Sequence, residues 1–180
     1  YATGVVISGD TAYVAARDAG LRVFPGGNPA HPTEIGSYDT PQYASAVAIT
    51  GTTAYVADSH GGLLVLDVSE PAHPIELGVY HTPDSAQGVT VSGNTAYVAA
   101  WEAGLLVVDV SDPTDPSKVG AYDTPGRACA VAISKTNAYV ADGSAGLRVV
   151  DVSDPAHPVE LGAYAAPGQV DDVAFSEDTV

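Results

Sequence analysis

The 180-residue chain carries 22 acidic against 6 basic residues, a formal net charge of −16. That sign excludes nucleic acid and anionic membrane as expected partners, since both need a basic face, and it favours solubility. The single cysteine, Cys129, excludes an intrachain disulfide, and apolar runs of about five to seven residues are too short to cross a bilayer.

Tyr13, Tyr55, Tyr97 and Tyr139 lie 42 residues apart, and so do Tyr38, Tyr80, Tyr122 and Tyr164. The segments around the first set read TAYVAARDAGLRVF, TAYVADSHGGLLVL, TAYVAAWEAGLLVV and NAYVADGSAGLRVV, without insertion or deletion. A fixed period of about 40–45 residues, filled with short strands, marks an all-β β-propeller of four-stranded antiparallel blades.

Within the copy from Tyr43 to Asp84 the elements follow in order. Ala46–Thr50 alternates small and branched residues, as suits an innermost strand near the axis. Gly51-Thr52-Thr53 is a turn in which glycine supplies a positive φ. Ala54–Ala57 is the second strand, and Asp58-Ser59-His60-Gly61-Gly62 the loop after it. Leu63–Val68 is apolar on both faces, the mark of a sheet sandwiched between neighbours. Ser69 to Pro74 is a turn with two prolines. Ile75–Tyr80 is the outer strand, with Glu76 on its wet side. No helix is expected, because apolar spacing follows two rather than 3.6.

The chain holds about 4.3 such units: blades near 1–42, 43–84, 85–126 and 127–168, and a partial blade at 169–180. Both ends fall inside a blade and there is no methionine, so the expectation is a fragment of a larger propeller of up to about eight blades. One blade cannot hide two apolar faces alone, and self-association of so short a piece is the corollary.

The third strands read LLVLD at Leu63–Asp67, LLVVD at Leu105–Asp109 and LRVVD at Leu147–Asp151, followed by VSEP, VSDP and VSDP. This pattern resembles the LVIVD-repeat family of bacterial and archaeal secreted or surface proteins. The resemblance implies an extracellular or cell-surface repeat protein and carries over no catalytic motif. The first copy departs from it, with Pro25 where the others place Asp67, Asp109 and Asp151.

Columns that are alike in every copy serve the blade; columns that vary are free for function. Variation concentrates in the loop after the second strand and in the approach to the inner strand. Antiparallel geometry puts both at one end of the blades, a common arrangement for binding. The candidates there are Trp101, Arg17, Asp18, Asp58, His60, Glu102, Asp84, Arg127 and Asp142. Trp101, the only tryptophan, is the anchor expected for a protein or carbohydrate partner. Arg17 and Arg127 are able to hold a carboxylate, or to pair with Asp18, Asp84 or Asp171. Asp58, Asp84, Glu102, Asp142, Asp171 and Asp172 supply oxygen ligands suited to calcium, but there is no D-x-D-x-D-G loop. His31, His73 and His157 recur at the opposite end, where a turn role is expected.

No G-x-S-x-G, H-E-x-x-H, phosphate loop or C-x-x-C-H is present. The expected function is therefore a non-catalytic binding module with no required cofactor. One alternative is a structural subunit of a surface layer or fibre. Another, by fold analogy alone, is a metal-assisted hydrolase or lactonase-like enzyme with His60 near Asp58, Asp84 and Glu102.

Overall fold

The computed structural model describes residues 1–27 and 30–175. Asn28 and Pro29 of the first proline turn, and residues 176–180 of the expected partial blade, lie outside them.

Among the described residues, sixteen strands form four four-stranded antiparallel sheets, each in sequence order. Blade 1 holds β1 (Gly4–Ser8), β2 (Thr11–Ala15), β3 (Leu21–Pro25) and β4 (Gly36–Tyr38). Blade 2 holds β5 (Ala46–Thr50), β6 (Thr53–Ala57), β7 (Leu63–Asp67) and β8 (Ile75–Tyr80). Blade 3 holds β9 (Gly88–Ser92), β10 (Thr95–Ala99), β11 (Leu105–Asp109) and β12 (Ser117–Tyr122). Blade 4 holds β13 (Ala130–Ser134), β14 (Asn137–Ala141), β15 (Leu147–Asp151) and β16 (Val159–Tyr164). The second strand begins one residue before the expected Ala54, because Thr53 pairs with both Thr50 and Asp67. The third ends at Asp67, where the carboxylate turns back to accept the Ser69 N–H at 2.8 Å. Asp109 and Asp151 do the same for Ser111 and Ser153.

The inner strands β1, β5, β9 and β13 pack in succession along the axis. Three apolar clusters fill the three spaces between blades. Leu63 and Val65 point to one neighbour and Leu64 and Leu66 to the other, all four buried. Sandwiched strands therefore read apolar on both faces, and each blade depends on the next for its core. The sheets do not close into a ring. Val47, Val89 and Val131 on the inner strands are 9%, 8% and 7% exposed, whereas Val5 of blade 1, in the same column, is 66% exposed.

The outer strands carry a second repeated device. β8, β12 and β16 each insert one extra residue opposite β7, β11 and β15. A glycine beside that bulge lets the next blade's turn come against its backbone. A methyl group on Gly78 would lie 2.7 Å from the Pro113 carbonyl oxygen, and nearer still to Pro71 at Gly36 and to Pro155 at Gly120. At Gly162 nothing lies within 4 Å.

Candidate functional site

The loops after β2, β6, β10 and β14 turn tightly enough to put two residues each into the left-handed region, the second always a glycine: Gly20, Gly62, Gly104 and Gly146. Arg17, Ser59, Trp101 and Gly143 occupy the first position with φ of 51°, 49°, 49° and 55°. Glycine takes this conformation freely, whereas any other L-residue there costs roughly 1–2 kcal/mol. The first residue forms a two-way backbone bridge to the approach of the next blade. Trp101 N–H donates to the Ala128 carbonyl at 3.1 Å, and Ala128 N–H returns a bond to Trp101 at 2.9 Å. Arg17 bridges Ala44, Ser59 bridges Ala86 and Gly143 bridges Val170 in the same way.

These bridges bring the two variable stretches together in pairs. Arg17 lies over the Tyr43 ring, 5.8 Å from its centre. The Ser59 and Ser85 hydroxyls are 2.8 Å apart. The Arg127 guanidinium stacks over Trp101 at 5.1 Å and reaches Glu102 Oε1 at 3.3 Å. Arg127 thus pairs with Glu102, not with Asp18, Asp84 or Asp171.

Asp58 and Asp142 are corrections to the expected face: both are fully buried and out of reach of a partner. Asp58 Oδ2 accepts the Gln42 N–H at 2.9 Å and Asp142 Oδ2 the Gly126 N–H at 3.0 Å, fastening the loop to the approach within one blade. In blade 3 the loop position is Ala100, and Asp84 on the approach accepts the Glu102 N–H at 3.1 Å instead. Burial pushes the Asp58 carboxyl up, against the Thr40 hydroxyl and Gln42 N–H that hold it down. Burial takes Asp58 and Asp142, two of the six oxygen donors considered for calcium, away from that face. Among the described residues no three His, Cys, Asp or Glu side chains gather as metal ligands. His60 is exposed, whereas Asp58 beside it in the chain is buried.

The open space at this end lies around Trp101. A cleft of about 780 Å³ runs between blades 3 and 4, with Trp101, Glu102 and Arg127 on one side and Gln169 and Asp171 on the other. A smaller groove of about 350 Å³ lies on the blade 2 side, lined by His60, Asp84, Ser85 and Gln87, and Trp101 and Glu102 border both. Of the sequence candidates, Trp101, Glu102, Arg127, Asp84 and His60 come together here; Arg17 and the exposed Asp18 sit two blades away. Gln87 and Gln169, missed as site residues, occupy the same variable approach, and that variation was their signal. Cys129 lies in the cleft, its Sγ 3.2 Å from the Arg127 carbonyl. Burial, with Asp171 and Asp142 nearby, pushes its thiol up, away from a nucleophilic thiolate.

The pattern of the LVIVD repeat matches the chain four times, over residues 1–40, 41–82, 83–124 and 125–166. The chain belongs to the LVIVD repeat family. No curated relative matches this LVIVD chain in sequence. Among solved structures it resembles the computationally designed Ika8 protein, at TM-score 0.76 and 13% identity over 98% of its own length. It spans about half of that protein, 53% of the Ika8 chain. It also resembles the designed Ika4 protein, at TM-score 0.68 and 12% identity, covering 83% of this chain and 89% of that one. At such identities the likeness concerns the fold alone.

Proposed function

We propose that this LVIVD chain is a non-catalytic binding module, working outside the cell or at its surface, that holds a carbohydrate in the cleft beside Trp101. The observation that carries this reading is the tryptophan itself. Its backbone stands in a conformation that costs roughly 1–2 kcal/mol for a side chain and nothing for glycine, as Gly143 in the same column illustrates. Arg17 and Ser59 share that conformation, so what sets Trp101 apart is its large aromatic side chain bordering two open spaces, which supports a binding use. An indole wall with amides and carboxylates around it suits a sugar ring: the apolar face stacks and the hydroxyls find donors and acceptors in Gln87, Gln169, Glu102 and Asp171. Protein partners favour broad patches with an apolar centre, which a concave polar cleft does not offer.

Titrating the chain with neutral oligosaccharides, and reading the emission of its single tryptophan, tests the proposal. Saturable change that Trp101→Ala abolishes is the expected result. Binding of a protein partner with no response to any sugar would transfer the site to the protein reading. No ligand from either class would sink the binding role.

A further inference from the structure

We propose that an oligosaccharide lying beside Trp101 extends to a second subsite at the junction of blades 1 and 2, where Arg17 and Tyr43 hold an acidic sugar unit by its carboxylate. The inference rests on the carbohydrate reading of the cleft and adds to it a charge class and a length.

The second subsite repeats the first with its parts exchanged. At the junction of blades 3 and 4 the loop supplies the aromatic ring, Trp101, and the approach supplies the guanidinium, Arg127. At the junction of blades 1 and 2 the loop supplies the guanidinium, Arg17, and the approach supplies the ring, Tyr43. Both pairs stand on the same kind of backbone bridge, Trp101 to Ala128 and Arg17 to Ala44. The bridge does not need them, because Ser59 and Ser85 fill the same two columns at the junction of blades 2 and 3.

What differs between the two pairs is the state of the guanidinium. Arg127 is engaged by Glu102, Arg22 by Glu34 and Asp39, and Arg148 by Asp142 and Glu160. Arg17 is exposed and, among the described residues, has no acidic partner, not even the adjoining Asp18. In a chain with 22 acidic residues, this arginine rests on a ring with its N–H donors free. The Tyr43 ring beneath it is 49% exposed. The combination suits a uronate: the sugar packs on the tyrosine, and the guanidinium takes the carboxylate through parallel N–H bonds. A carboxylate at Trp101 would meet Glu102 and Asp171, so the acidic unit belongs at Arg17 and neutral units belong in the cleft.

A path joins the two. The groove of about 350 Å³ is lined by Trp101 at one side and Ser85 at the other. Ser59 and Ser85 are short and buried, 7% and 6% exposed, and bond to each other rather than standing up from the surface. The next junction along is that of Arg17 and Tyr43. With sheets roughly 10 Å apart face to face, two blade steps make a span of about 20 Å, which an octasaccharide covers and a disaccharide does not. One chain engaging both subsites gains affinity over either alone. The charge of −16 opposes an anionic ligand, but screening confines that repulsion to about 8 Å at physiological salt.

Titration calorimetry at physiological salt tests this. The probe is a hyaluronan octasaccharide, in which uronate and neutral rings alternate, and the control is its carboxyl-reduced form. Wild type should bind the acidic form roughly 5- to 10-fold tighter than the reduced one, the worth of a charge-assisted bond at an exposed site. In Arg17→Gly that preference should vanish. The melting temperature of Arg17→Gly should not fall, because the position is left-handed and takes Gly143 in blade 4. Equal binding of the two forms by wild type, or a preference that persists in Arg17→Gly, would overturn the second subsite and leave the cleft reading standing. No binding of either form would overturn it as well; the cleft reading is decided separately, by the neutral oligosaccharides.

Discussion

Leu105 and Leu147 open the third strand of successive blades, 42 residues apart, and differ in what covers them. Leu105 is fully buried against blade 4, whereas Leu147 faces the open end and is partly exposed. Truncation of either to alanine removes three carbons. For Leu105→Ala the lost transfer energy is about 2.4 kcal/mol at ~0.8 kcal/mol per carbon. The cavity adds to this, so the whole should fall near 3 kcal/mol, within the ~2–5 kcal/mol seen for such changes. For Leu147→Ala most of the lost contact is already missing, and about 1 kcal/mol is expected. Urea denaturation followed by far-ultraviolet circular dichroism, at a dilution where the chain is monomeric, measures both. With a slope of about 1–3 kcal/mol per molar urea, the midpoints should separate by roughly 1 M. Equal losses would refute the reasoning, for they would mean that the end of blade 4 is as well covered as the space between blades 3 and 4.

Three further outcomes follow from individual groups. Burial, and then hydrogen bonding to Glu76 and Glu160, pushes the Tyr38 and Tyr122 hydroxyls up to about 12. Ultraviolet titration of the tyrosines should therefore show a late component that shrinks in Glu160→Gln; an unaltered curve would remove the Tyr122–Glu160 bond. Asp58 is pushed above its ordinary 3.8 by burial. A raised group stabilises the fold below its unfolded value and loses that contribution as pH climbs through the folded one. Wild type should accordingly lose stability relative to Asp58→Asn as pH rises from about 3.8 toward neutrality, and a constant difference would contradict the burial argument. Arg127→Ala should shift the emission of the single tryptophan while changing unfolding free energy by about 1 kcal/mol or less, the worth of an exposed cation–π contact. Unchanged emission would refute the stacking.

Much of the fold was legible because the repeat is exact in length. A strand apolar on both faces, such as Leu63–Asp67, requires neighbours on both sides, and a 42-residue period supplies them. Which end of the blade varies was equally legible from comparing copies. What stayed hidden is the coupling between columns. Nothing local in Asp58-Ser59-His60 says that the first residue points inward to Gln42 while the second crosses to the next blade. Asp58 and Asp142 therefore read as surface acids until the burial of their carboxylates was seen. Glu76 and Glu160 read as wet edge residues because their tyrosine partners stand 38 positions away on another sheet.

In blades 2, 3 and 4 the loop and the approach are held by one carboxylate, yet its origin changes. Asp58 and Asp142 reach from the loop, and Asp84 reaches from the approach. The junction is thus indifferent to which side contributes the acid. For engineering, this makes the end of each blade a place for grafting: new residues beside Trp101 or Arg127 alter what is displayed while the fastening below stays intact. What the end of the blade displays and what fastens it are in this way separable.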